Sequence, residues 1–395
     1  MKSGTEILPM LGDAIAQREA AILDLVRQGN FVVCWIPMQV SYGAFTATFM
    51  VSADSLRLGH MADSFRVPAT AALYQKVADE LGATLLTAKL LDDWYRQKFT
   101  LKLPYTALPG AGMSSMAAAK QASDIIDRKI AKAFFPNVDD ATALTAVRPL
   151  VMAGCVPVTN EGKFWINSTY TSNQGPVHAW GQQPQPGTFA SENYGFYVPG
   201  MTGTATGIPG VGVIQGPGHA HPYNHSDYSQ QMRFVQRRVK VCKGIVCNDV
   251  DIYDLAKDPE LAPLVNHDKV AINMRYPRVP WAPSTAAMAL WGKPGTAGDA
   301  VAGFGGLELV GGWLTSFAKG DTSPVMSPVR NNEPSPLLAP DERAVLAIQQ
   351  GQMPPQHPGA VSGAFGGPGI VAGVALTAVG VGLGWFGWQL AEQRA

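Results

Sequence analysis

Apolar and polar positions follow two different periods along the first third of the chain. Over residues 1–29, Ala20, Ile22, Leu23, Leu25 and Val26 make an apolar stripe beside Glu19 and Arg27, and Gly29-Asn30 ends the run. That is the pattern of an amphipathic helix with a glycine stop. Residues 32–52 switch to period two. Two segments there, WIPMQVSY and FTATFMVS, are rich in β-branched and aromatic residues and predict two strands joined at Gly43-Ala44. Helical spacing returns over 68–81, over 85–97 after Gly82, and over 114–135, the last with Ile125, Ile126, Ile130 and Ala131 on its inner side.

From 150 to 280 the pattern breaks into short strands and long loops. Residues 182–218 hold five prolines and repeated glycine, and a loop of that length in a compact domain usually carries function. A strand follows over 232–241, then Lys243-Gly244-Ile245-Val246 as a tight hairpin turn, then a short helix over 250–257. These elements predict an α+β fold, with a helical N-terminal part and a loop-rich antiparallel β part.

Three regions are expected: an α+β body over 1–280, a Gly/Pro-rich spacer over 281–368 with an apolar stretch at 300–318, and an anchor over 369–395. Within the spacer, 323–340 is proline-rich and reads as extended chain, and 341–350 as a short helix. The run 370–390 (IVAGVALTAVGVGLGWFGWQL) has no charge and matches the thickness of a bilayer core. Gly380 and Gly384 have the spacing of close-packed membrane helices, and Trp385 and Trp388 lie near one end, where an aromatic belt would sit. The expected partners are therefore a membrane through this apolar helix and further copies or components of a larger assembly. The expected location is membrane-associated, in a cell envelope or a virion. Residues 1–10 contain Lys2 and Glu6 and no apolar core, so no N-terminal signal peptide is expected there.

Composition sharpens this picture. The 395 residues carry 30 basic and 30 acidic side chains, so no whole-chain attraction to nucleic acid arises. Charged residues make up only 15%, with 42 Gly and 30 Pro, which favours surfaces covered by a membrane, a partner or an assembly. Cys242 and Cys247 flank the hairpin turn, where a disulfide and two reduced thiols fit equally well. Cys155, between apolar neighbours, reads as a buried, inert thiol.

The strongest chemical signal is a loop in which His219, His221, His225 and Asp227 fall within nine residues. Imidazoles beside a carboxylate suit acid–base work or a zinc-like divalent metal, with His219, His221 and His225 as ligands. In the catalytic reading His221, His225 and Asp227 form the polar core, and Ser229 acts as a nucleophile only with a base in reach. His178 is a distant candidate partner. Arg233, Arg237, Arg238 and Lys240 follow as a basic run that reads as two solvated strand edges. No glycine-rich phosphate loop is present, so no nucleotide site is expected.

Two blocks carry a resemblance. The first runs from Arg18-Glu19-Ala20-Ala21-Ile22-Leu23 through Thr46–Leu56 and from Val67-Pro68 to Asp92-Asp93. The second is Asp227-Tyr228-Ser229-Gln230-Gln231-Met232-Arg233-Phe234-Val235, with His221 upstream. Together, over residues 15–265, they resemble a widespread bacterial family centred on Asp-Tyr-Ser-His-Gly followed by a strand. The resemblance implies an α+β domain and, from relatives joined to wall-binding modules, an extracellular setting. Gln230 and Gln231 stand where that family has His and Gly. The expected functions are an envelope-directed hydrolase acting on cell-wall polymer, a non-enzymatic structural component, or a wall-polymer binding module using the aromatic segment 194–197.

Overall fold

Helix α1, Ile15–Arg27, stops where its backbone turns left-handed at Gly29, φ 74°. There the Asn30 and Gly29 amides donate to the Leu25 and Val26 carbonyls, both at 2.9 Å, which satisfies the last turn. Threonine caps set the next two helices. Thr70 Oγ1 accepts from the Leu73 amide at the start of α2, Ala71–Glu80, and Thr87 Oγ1 accepts from Leu90 at the start of α3, Ala88–Arg96. Helix α4 is Met116–Phe134. All four lie inside the spans expected from periodicity, shortened at their ends by the caps.

The structure is a computed structural model, and it describes residues 1–108, 112–167, 192–201, 206–218, 221, 224–276 and 279–292. The expected apolar stretch 300–318, the short helix 341–350, the uncharged run 370–390, His178 and His219 lie outside those residues. Among the described residues no helix is long and apolar enough to cross a membrane.

Helices and antiparallel sheets mix, so the α+β expectation is met. The central sheet contains β1 (Trp35–Tyr42), β2 (Phe45–Ser52), β3 (Ala83–Leu85), β4 (Phe234–Gln236), β5 (Arg238–Lys243) and β6 (Val246–Asp251). β1 and β2 pair from Trp35↔Ser52 to Tyr42↔Phe45, a hairpin closed at Gly43, φ 57°. The other edge of β2 is shared: its first half pairs with β5 and Val51 pairs with Val235 of β4. The single strand expected over 232–241 is thus two strands broken at Arg237. Its amide leaves the ladder to donate to Gly82, and its carbonyl accepts from Ile252. The helix expected over 250–257 is Ile252–Leu255, capped by Asp251.

One apolar cluster packs α1, α2 and the start of α4 with Trp165, Met232 and Phe234. Another packs the opposite face of β2 with Trp94 of α3, Ile166, Tyr194 and Val239. The four cysteines form two disulfides, Cys34–Cys155 and Cys242–Cys247. Cys155 is therefore not the free thiol read from its flanks. Its partner lies 121 residues away, a separation no local pattern reveals.

The chain divides into two units, Met1–Ile126 with Cys155–Val325, and Asp127–Gly154 with Met326–Ala395. In the second, Asp139 caps a helical turn, Arg148 pairs with Asp127 at 2.7 Å, and Ala131, Ala143 and Val147 form a small core.

Candidate functional site

The two blocks that carry the resemblance meet in space. Leu56 donates its amide to Met232, and Ala69 donates to Gln230. The Tyr74 hydroxyl bonds the backbone of Arg233. Arg233 is buried, not solvated as its strand position suggested. Its guanidinium donates to Glu161, Ser52 and Val158, and lies over the rings of Trp94 and Phe164 at 5.1 and 5.6 Å. Arg237 is likewise buried, on Asp251. Burial pushes the Glu161 carboxyl up and Arg233 opposes it, so this pair holds only as a pair.

That buried pair fixes segment 161–163 against segment 229–231. Lys163 donates its amide to Ser229 at 2.7 Å and accepts from Gln231 at 3.0 Å. Gly162 makes the approach possible, since a Cβ there would stand 2.8 Å from Gln231 Cγ and 3.0 Å from the Ser229 carbonyl. On the other flank Arg18 donates to Ser226 Oγ at 3.2 Å and to the Ser114 carbonyl. Asp227 is thus held from both sides.

The Asp227 carboxylate gathers four donors. Oδ1 accepts from the Ser229 amide at 2.7 Å and from Ser229 Oγ at 2.5 Å, a local Asx-type turn. Oδ2 faces His225 Nε2 at 3.2 Å and Lys163 Nζ at 3.5 Å. Although burial opposes ionisation, the His225 bond, the Lys163 charge and the two Ser229 bonds hold this carboxyl well below the usual range. It stays a carboxylate at any physiological pH.

His225 keeps 29% of its side chain exposed while Asp227 keeps 6%, so a buried anchor orients a ring that water reaches. His221 lies flat on His225, with ring centroids 4.1 Å apart and 7° between planes, and its Nε2 faces Gln215 Nε2 at 3.2 Å. Burial, then the neighbouring His225 and Lys163, lower His221 to about 4. It is a neutral imidazole at pH 7. With Nε2–H of His225 directed at the carboxylate, its Nδ1 is the lone pair left to accept a proton.

The structure therefore brings His221, His225, Asp227 and Ser229 together. Ser229 donates its hydroxyl to Asp227, and its side chain is buried. No group of three His, Cys, Asp or Glu side chains is placed to hold a metal among the described residues, which do not include the proposed ligand His219. Lys163 was missed from sequence, because a lone lysine 64 residues from Asp227 carries no local signal. The aromatic segment Tyr194–Tyr197 turns its rings inward. Tyr194, Phe196 and Tyr197 are buried, and the Tyr194 and Tyr197 hydroxyls bond Asp92.

Asp92 belongs to a second imidazole–carboxylate pair that sequence reasoning did not find. Its Oδ2 accepts from His267 Nε2 at 2.7 Å and from the Gly207 amide at 2.6 Å.

No family model matches the chain, and no curated protein or solved structure matches it.

Proposed function

We propose that this chain is an extracytoplasmic hydrolase in which His225 is the general base that activates water against an acyl bond of a cell-wall polymer. The observation that carries this reading is the exposed His225 ring held by the buried Asp227 carboxylate. That arrangement supports one tautomer and stabilises the imidazolium formed when the base is protonated. A water donates its proton to His225 Nδ1 as its oxygen adds to the carbonyl. The same proton then passes to the leaving amine or alkoxide as the acyl bond breaks.

Acyl chemistry fits this site better than glycoside chemistry. Glycosidases use two carboxylates about 5–10 Å apart, one of them protonated. Here Asp227 is ionised, and its oxygens are taken by Ser229, His225 and Lys163. Ser229 orients Asp227 and is not the nucleophile. The two disulfides favour an oxidising compartment, in line with an envelope setting. A membrane anchor over 370–390 would hold the site at that surface.

The test is release of soluble fragments from purified peptidoglycan by the full chain, wild type beside His225→Ala, with folding followed by thermal melting. Turnover lost in the variant at an unchanged melting temperature supports the reading. Absence of turnover in both sinks it and leaves a structural component of an assembly as the better account. Elemental analysis of the same samples decides the route. Near one equivalent of a zinc-like ion, lost in His221→Ala, assigns water activation to a metal held by His219, His221 and His225.

A further inference from the structure

The end of the central sheet at the β5–β6 turn exposes apolar side chains without a fold-level reason. β5 and β6 join at Lys243-Gly244-Ile245-Val246, with Gly244 at φ 61°. Such a two-residue turn needs glycine at its first central position and places no demand for an apolar residue at the second. Yet Ile245 is 100% exposed and Val246 63%. Polar residues usually occupy that place, because an exposed aliphatic pair gains nothing for the monomer.

Two other turns lie at the same end. Lys243 pairs with Phe45, and Phe45 with Tyr42, so the β1–β2 turn is beside the β5–β6 turn. Tyr42 is 38% exposed, with Lys269 Nζ 5.6 Å from its ring centroid, which brings in the turn that carries exposed Val270. Lys243 Nζ lies 5.0 Å from the Phe45 ring. The three segments 41–46, 242–247 and 267–270 thus present Ile245, Val246, Val270 and Tyr42 beside two lysines, with Asp268 as their one acidic residue. Cys242–Cys247 joins positions only five apart in sequence, a small constraint on the unfolded chain, so its consequence is a fixed shape at the tip.

We propose that this tip inserts into the headgroup layer of an anionic phospholipid bilayer, with Ile245 and Val246 entering the acyl boundary and Lys243 and Lys269 meeting lipid phosphates. Three turn tips make a narrow apolar point rather than the broad patch a stable protein interface needs, about 1,200 Å² or more in total. A bilayer has no such threshold, rewards each buried aliphatic group, and places tyrosine and lysine at its interface. This inference does not depend on the hydrolase reading.

Hydrogen exchange of the full chain tests it, measured free, with phosphatidylcholine vesicles, and with vesicles carrying about one-quarter phosphatidylglycerol. Expected is slowed exchange in 41–46, 242–248 and 267–271 on the anionic vesicles, about tenfold or more. That slowing should fade as salt is raised, and it should be absent in Ile245→Ser/Val246→Ser. A variant that still floats with the vesicles through another segment yet loses this slowing confirms the tip as a separate contact. Unchanged exchange at the tip while wild type floats overturns the proposal. So does equal slowing on neutral vesicles, or slowing that appears with protein concentration and no lipid, which would mark a contact between copies.

Discussion

Two histidines in this fold rest on buried aspartates, and they teach opposite lessons about what such a pair does. His225 on Asp227 and His267 on Asp92 show similar exposure, 29% and 38%, and similar carboxylate burial, 6% and 1%. Their surroundings separate them. Asp92 is ringed by Tyr194, Tyr197, the Gly207 amide and His267, and burial keeps both tyrosine hydroxyls protonated as donors. The Gly207 backbone is pressed against the His267 ring, where a Cβ would come within 2.3 Å of Cε1. That ring is a clamp on the 206–208 turn, which Arg96 grips from its other side through the Gly207 carbonyl. His225 instead stacks on a second imidazole, that of His221, and its Asp227 partner is held by Ser229 and Lys163. A His–Asp distance is therefore not a catalytic signal by itself; what surrounds the ring and its carboxylate separates the two pairs.

The comparison breaks most sharply through activity. His225→Ala should lower wall-polymer hydrolysis by roughly 10²–10⁴-fold, the range of general-base contributions. His267→Ala should leave the rate within about twofold, since a clamp acts on stability. Equal losses in the two variants would erase the distinction. Stability should show the reverse ranking. Asp92→Ala strands two buried phenols and an amide, at about 1–3 kcal/mol for each buried group left without a partner, so a loss of roughly 3 kcal/mol or more is expected in denaturant melts. Asp227→Asn should cost less in stability while removing most activity. Gly207→Ala comes next, at roughly 1–3 kcal/mol, because a methyl group has no room beside His267. A melt unchanged in Gly207→Ala would mean the turn is not clamped.

This contrast also explains what could be read from the sequence. The helices and the first hairpin were legible because their signals are local: the stripe before Gly29, the period-two run around Gly43, and the helical spacing over 68–81 and 85–97. The His225–Asp227 pair was legible for the same reason, being two residues apart. Asp92–His267, Lys163–Asp227, Arg233–Glu161 and Cys34–Cys155 join positions 175, 64, 72 and 121 residues apart. No composition or spacing records those. The basic run 233–240 misled because strand alternation assigns faces without saying which face is covered. Arg233 and Arg237 are buried with partners, Lys240 is half-buried, and Arg238 stays out, on Asp249.

The smallest expected effect is a pH dependence that belongs to one region and not the other. His221 falls from its ordinary 6.5 to about 4 on folding, so between those values the unfolded chain binds more protons than the folded one. Its contribution to stability is complete above about pH 6.5 and declines as pH falls toward 4. Asp227 is also lowered, so the stability it adds is present above its ordinary 3.8 and is lost as the medium becomes still more acid. The two windows adjoin, and the His loop should loosen in acid in two stages. His221→Gln removes the upper stage only. Melting temperature plotted from pH 7 down to about pH 2 should be flatter above pH 4 in that variant than in wild type, with the two curves falling together below pH 4. Water at the half-buried ring screens the interaction, which is why the difference is small. Parallel curves over the whole range would place His221 in free contact with solvent, and the neutral, stacked imidazole beside His225 would no longer stand.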